Sequence, residues 1–238
     1  MNSFLVSSTT FLAAVSLMAA DKDDLKSAAQ KLGDADNYSW TTTMEIANSQ
    51  FTPGPSHGKT QKDGLVWLDM TFQDNTIEGF AKGGKGAVKG EDGWEAVDLK
   101  ATPGGGGGGG GFNPARFMGM RLRNLKTPAT ALEEMVDKSK DLTKAGDSYS
   151  GDLTEEGAKS LMTFGRRGGQ AADISKAKGT VKIWLKDGAI TKYQTKVSGT
   201  RKNQDGDDVD MEITTTVEIK DIGTTKIAVP DEAQKKMT

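Results

Sequence analysis

Val181-Lys182-Ile183-Trp184-Leu185-Lys186-Asp187-Gly188-Ala189-Ile190-Thr191-Lys192-Tyr193-Gln194-Thr195-Lys196-Val197 holds the sharpest periodicity in the chain. Val181, Ile183 and Leu185 share one face, and Ala189, Thr191, Tyr193, Thr195 and Val197 repeat the same period of two, the pattern of strands with one buried face. Asp187-Gly188 between them is hairpin chemistry. A two-residue loop there would pair Ile183 with Lys192 and mix the faces. A three-residue loop, Lys186-Asp187-Gly188 with Gly188 left-handed, pairs Ile183 with Thr191 and Val181 with Tyr193 and keeps one face apolar, so the longer loop is expected. Across a looser turn at residues 202–208, Val209, Met211, Ile213, Thr215, Val217 and Ile219 alternate in a third strand.

The same period recurs toward the N-terminus. Tyr38, Trp40, Thr42, Met44 and Ile46 alternate with polar residues, and Val66, Leu68, Met70 and Phe72 share a face. Shorter strand-like pieces around Ile77, Val88 and residues 94–99 are separated by turn residues, which together predict an antiparallel meander. Helical spacing appears at residues 21–33, where Leu25, Ala28, Ala29 and Leu32 form one stripe ahead of Gly33. Three more helices are expected: residues 114–126, a helix opening at Thr127-Pro128 whose stripe is Leu132, Met135, Val136 and Leu142, and residues 154–164. Residues 103–113 carry eight consecutive glycines, Gly104 to Gly111. A Walker loop needs Lys-Ser/Thr after its last glycine, but Phe112-Asn113-Pro114 follows, so this stretch reads as a flexible tether.

Composition narrows the chemistry. The 238 residues carry 31 Lys+Arg against 33 Asp+Glu, a net charge of -2, which gives no electrostatic footprint for nucleic acid. There is no Cys and one His, so disulfides, thiolate metal sites, Cys nucleophiles and multi-His sites are all excluded. Residues 1–20 are uncharged and end in small residues before Asp21, which reads as a signal peptide, with an N-terminal helix or uncleaved anchor as the alternative. Cleavage would leave one exported, periplasmic domain, residues 21–238.

The order helix, meander, loop with helices and long C-terminal strands resembles the LolA/LppX/LprG-like superfamily of periplasmic lipoprotein and lipid carriers. The residues that carry the resemblance are residues 181–188, with Trp184 and Asp187-Gly188, the strand ending Val217-Glu218-Ile219-Lys220-Asp221-Ile222-Gly223, and Val229-Pro230-Asp231-Glu232-Ala233. Residues 149–159 are similar to uncharacterised secreted members of the group. The resemblance implies an α+β fold, an incomplete antiparallel β-barrel formed by a curved meander sheet, with helices covering a concave face that holds acyl chains. Its motifs cover about a quarter of the chain, and the carrier's early-strand Arg has no counterpart here.

These readings make the chain a non-enzymatic carrier or binder of a lipid or lipidated protein. Trp40, Met44, Ile46, Val181, Ile183, Leu185, Tyr193, Met211, Ile213 and Val217 would line the cavity. Phe117, Met118 and Leu122, in the segment that follows the tether, would gate it, and Arg116, Arg121 and Arg123 would meet an anionic membrane surface. Periodicity alone leaves a second reading open, a cell-envelope structural or interaction module whose concave face is filled by its own helices through Leu132, Met135, Val136, Leu161 and Met162. Nothing asks for a cofactor or metal. Asn203, Asp205, Asp207, Asp208 and Asp210 lack EF-hand spacing and read as an Asx-rich turn. His57 reads as a surface loop residue with no acid arranged beside it.

Overall fold

The computed structural model describes residues 11–49, 53–72, 75–101, 113–162, 174–203 and 206–238. The first ten residues of the expected leader, residues 103–112 of the expected tether and Asp205 lie outside the described residues. Among the described residues eleven strands form one antiparallel sheet that is not closed into a barrel. In chain order they are β1 (Asn37–Ile46), β2 (Ser56–Gln61), β3 (Val66–Phe72), β4 (Asn75–Lys82), β5 (Lys85–Gly90), β6 (Gly93–Asp98), β7 (Thr143–Ala145), β8 (Ser148–Asp152), β9 (Ile174–Lys186), β10 (Ala189–Lys202) and β11 (Asp208–Lys220). The spatial order is β6-β5-β4-β3-β2-β1-β11-β10-β9-β8-β7. Two meanders therefore meet in the middle, where β1 pairs with β11 from Ser39↔Lys220 to Ile46↔Ile213. With helices on its inner face this is the α+β incomplete barrel.

The central hairpin departs from expectation. Asp187 and Gly188 both have positive φ, 52° and 75°, and Lys186 pairs with Ala189, so the loop has two residues. A primed turn of this kind matches the twist of its strands and suits Asp-Gly. The apolar face is rescued by a bulge at Thr191: Ile190 pairs with Leu185, then Tyr193 with Ile183 and Thr195 with Val181. One extra residue resets the register by one, which is what a bulge does.

Five helices are found among the described residues: α1 (Phe11–Gly33), α2 (Pro114–Arg123), α3 (Pro128–Asp137), α4 (Glu155–Met162) and α5 (Asp231–Lys236). α1 begins ten residues before the expected start at Asp21, because the Leu-, Ala- and Met-rich stretch before it contains no Gly or Pro to stop a helix. Its stripe of Leu25, Ala28, Ala29 and Leu32 is buried against α3, and Lys22 Nζ donates to the Ser139 carbonyl at 2.6 Å. α2 starts where Asn113 Oδ1 accepts the Arg116 N–H at 2.7 Å, and it ends at Arg123, short of Lys126. α3 likewise ends at Asp137, so Leu142, expected on its stripe, is fully buried from the short connection ahead of β7.

Alternation sorts the side chains. Tyr38, Trp40, Leu68, Ile77, Val88, Val181, Ile183, Tyr193, Val197, Val217 and Ile219 join α1–α4 in one core on the concave side. On the convex side Phe80 and Ala87 pack with Ala233 of α5 in a second, smaller cluster.

Candidate functional site

A partly open cavity of about 210 Å³ lies between the middle of the sheet and the helices above it. Its floor is Trp40, Thr42 and Met44 of β1, Ser56 of β2, Leu68 of β3, Tyr193, Thr195 and Val197 of β10, and Thr215 and Val217 of β11. Its roof comes from Arg121 of α2, Leu125 and Lys126 after it, Pro128, Ala131, Glu134 and Met135 of α3, Lys138, Leu153, and Gly157, Ser160 and Leu161 of α4.

The floor depends on a residue of a strand that periodicity does not reveal. β2 reads Ser-His-Gly-Lys-Thr-Gln and has no apolar alternation. Gly58 is on it, opposite Trp40 across the ladder, and a Cβ there would lie 2.1 Å from the indole. The missing side chain lets the ring lie flat over the neighbouring strand, with Tyr38 5.9 Å away centroid to centroid. α2 is seated by a similar device. A Cβ on Gly79 of β4 would lie 2.9 Å from Leu122 and 3.0 Å from Met118, so the helix rests close on the sheet.

Of the residues expected in the cavity, the structure brings Trp40, Met44, Tyr193 and Val217 together in its wall. Val181 and Ile183 are buried in the main core on β9, the strand against which α4 packs. Leu185 is half-buried beside the hairpin turn, Ile46 and Ile213 are half-buried at the end of the β1–β11 ladder, and Met211 is half-buried opposite Gly199 of β10, all beyond the lining. Phe117, Met118 and Leu122 do not line it either: Met118 and Leu122 are buried under α2, and the residue that α2 turns to the cavity is Arg121. The three arginines do not form one solvent-facing row, because Arg121 is in the cavity wall and Arg123 Nε donates to the Asp98 carbonyl at 3.1 Å.

The wall is electrically uneven. Arg121, Lys126 and Lys138 line it with one carboxylate, Glu134. Lys126 Nζ is held 2.5 Å from Glu134, and Lys138 lies 3.7 Å from the exposed Glu156. Burial pulls the Arg121 guanidinium below its usual pKa, although an arginine stays protonated throughout the accessible range. Burial pushes the Tyr193 and Tyr38 hydroxyls above theirs. The arrangement can hold an apolar group, with cations concentrated in its roof.

His57 sits elsewhere. It is on β2 rather than in a loop, and its Nδ1 lies 2.8 Å from Asp69 Oδ1 on the convex face, opposite the cavity. Asn203 Oδ1 accepts the Asp207 N–H at 2.8 Å, and Lys202 pairs with Asp208 at 3.0 Å. Among the described residues there is no group of three His, Cys, Asp or Glu placed to hold a metal, and no helix long and apolar enough to cross a membrane.

No family model matches this chain, and no curated protein does. Among solved structures it is similar to LprF from Mycobacterium bovis, with TM-score 0.48 and 11% identity over 90% of this chain and 98% of that one. A LolA superfamily protein from Nitrosomonas europaea gives TM-score 0.31 and 10% identity over 91% and 96%. A DUF1329 family protein from Desulfovibrio piger gives 0.27 and 8% over 90% and 95%.

Proposed function

We propose that this protein is an exported, non-enzymatic carrier or binder that takes the apolar chain of a lipid or lipidated protein into the concave face of its sheet. The observation that supports this best is the partly open cavity with Trp40, Met44, Leu68, Met135, Leu161 and Val217 in its wall. Each buried methylene contributes about 0.8 kcal/mol, so a few of them give useful affinity without any reacting group. At about 210 Å³ the space is below the ~300–1,000 Å³ of most small-molecule sites. A full-length acyl chain therefore requires α3 and α4 to shift outward, and a shorter chain does not.

The test is expression of the full chain with its native leader, followed by native mass spectrometry and organic extraction. Co-purified lipid, or uptake of a fluorescent fatty acid, is the expected result, together with loss of the leader from the exported product. Protein that is reproducibly empty and takes up no fluorescent fatty acid would overturn the carrier. The second reading, an envelope interaction module, is favoured by one observation: Leu132, Val136 and Met162 are already buried and fill much of the concave side. Empty protein whose helices stay docked would leave that module standing.

A further inference from the structure

The cavity wall carries three cations, Arg121, Lys126 and Lys138, against one carboxylate, and Arg121 is half-buried at one end of it. Arg121 is on α2, which packs on β4 and β5, while the other end lies under α4 with Leu153, Leu161 and Val197. Lys126, in the same wall, is exposed to solvent, and Lys138 extends toward the exposed Glu156. A guanidinium facing a cavity with an apolar floor meets an anion in a site with little water, where a charge-assisted, two-pronged hydrogen bond is at its strongest. We infer that the cavity selects an amphiphile with an anionic headgroup, a carboxylate or a phosphate monoester, which Arg121 clasps while the single alkyl chain runs along Trp40 and Val217 toward Leu161. The inference rests on the carrier reading and adds a class of headgroup to it. Desolvation of the guanidinium, visible in its lowered pKa, fits the same placement.

The test uses the delipidated full chain in isothermal titrations with decanoate, decyl phosphate, decanol and inorganic phosphate. Decanoate and decyl phosphate should bind about tenfold or more tighter than decanol, the usual size of a hydrogen bond to a buried charge. R121Q should bring the ratio of decanoate to decanol affinity to within about twofold of unity, with circular dichroism confirming the fold, and R121K should keep part of the preference because it keeps charge but loses the fork. Equal binding of decanol and decanoate by the unaltered chain overturns the headgroup assignment and leaves the carrier standing. A preference that survives R121Q also overturns it. Inorganic phosphate binding as tightly as decyl phosphate would make the site an anion site and overturn the amphiphile, and failure of all three alkyl ligands would remove the carrier reading as well.

Discussion

On β4 and β5, neighbouring residues go to two different places. Ile77, Gly79 and Val88 face α2 and the main core, whereas Phe80 and Ala87 face the C-terminal segment and α5. On the convex side the cover is a short helix and the irregular segment ahead of it: the Phe80 and Trp94 rings lie tilted with centroids 5.4 Å apart, and Ile227, Val229 and Met237 pack around Phe80, Ala87 and Ala233. On the concave side the cover is four helices, α1–α4, laid over a curved sheet, and α2, α3 and α4 roof the cavity. A helix is a rigid cylinder roughly 10–12 Å across and cannot follow that curvature, so its contact is close at the rims and leaves space in the middle. The same alternation therefore builds a sealed face and a hollow one, and the kind of element laid on each face decides which.

The difference can be broken first by opening the filled part of the concave core. Leu132→Ala removes a fully buried side chain of α3 and should cost about 2–5 kcal/mol in urea unfolding, the largest effect expected. Gly58→Ala is next. Its Cβ has to displace the Trp40 ring, which should cost about 1–3 kcal/mol and, because the ring moves into the cavity, should lower decanol affinity severalfold. On the convex side Ala233→Asp buries a carboxylate against Phe80 and should peel α5 away for about 1–3 kcal/mol while decanol affinity stays within twofold. If Ala233→Asp abolished binding, the two faces would not be independent.

Alkaline titration sharpens the comparison through the tyrosines. Tyr38 and Tyr193 lie on the concave side with pKa values raised by burial. A hydroxyl raised in the folded state stays protonated while the unfolded chain ionises near pH 10, so folding stability is intact below that value and falls as pH climbs past it. The slope should approach 1.4 kcal/mol per pH unit for each tyrosine, and Tyr193→Phe should halve it. The smallest effect is expected outside either core: Glu212→Gln breaks the exposed pair with Lys196 and should change stability by less than about 0.5 kcal/mol.

The C-terminal strands were legible because Val181, Ile183, Tyr193, Val197 and Val217 alternate with polar residues over long runs, and α1 because Leu25, Ala28, Ala29 and Leu32 repeat at helical spacing. β2 was not legible, since its inward positions, Ser56, Gly58 and Thr60, are small or polar to leave room for Trp40. The Thr191 bulge was hidden because turn preference and face alternation demand different loop lengths, and an inserted residue satisfies both. Arg121 was read as a surface cation because its neighbours Arg116 and Arg123 are basic and sequence carries no sign of which one α2 turns inward.

By itself the sequence determined the antiparallel meander, the positions of most strands and the residue types available for chemistry, because these follow from periodicity and composition, which are local; the open barrel was implied by the family resemblance alone. The tertiary structure alone decided which apolar residues became core and which became cavity wall. That division depends on where α2, α3 and α4 come to rest on the sheet, and their resting places are set by close contacts such as Gly79 beneath Leu122, between residues far apart in the chain.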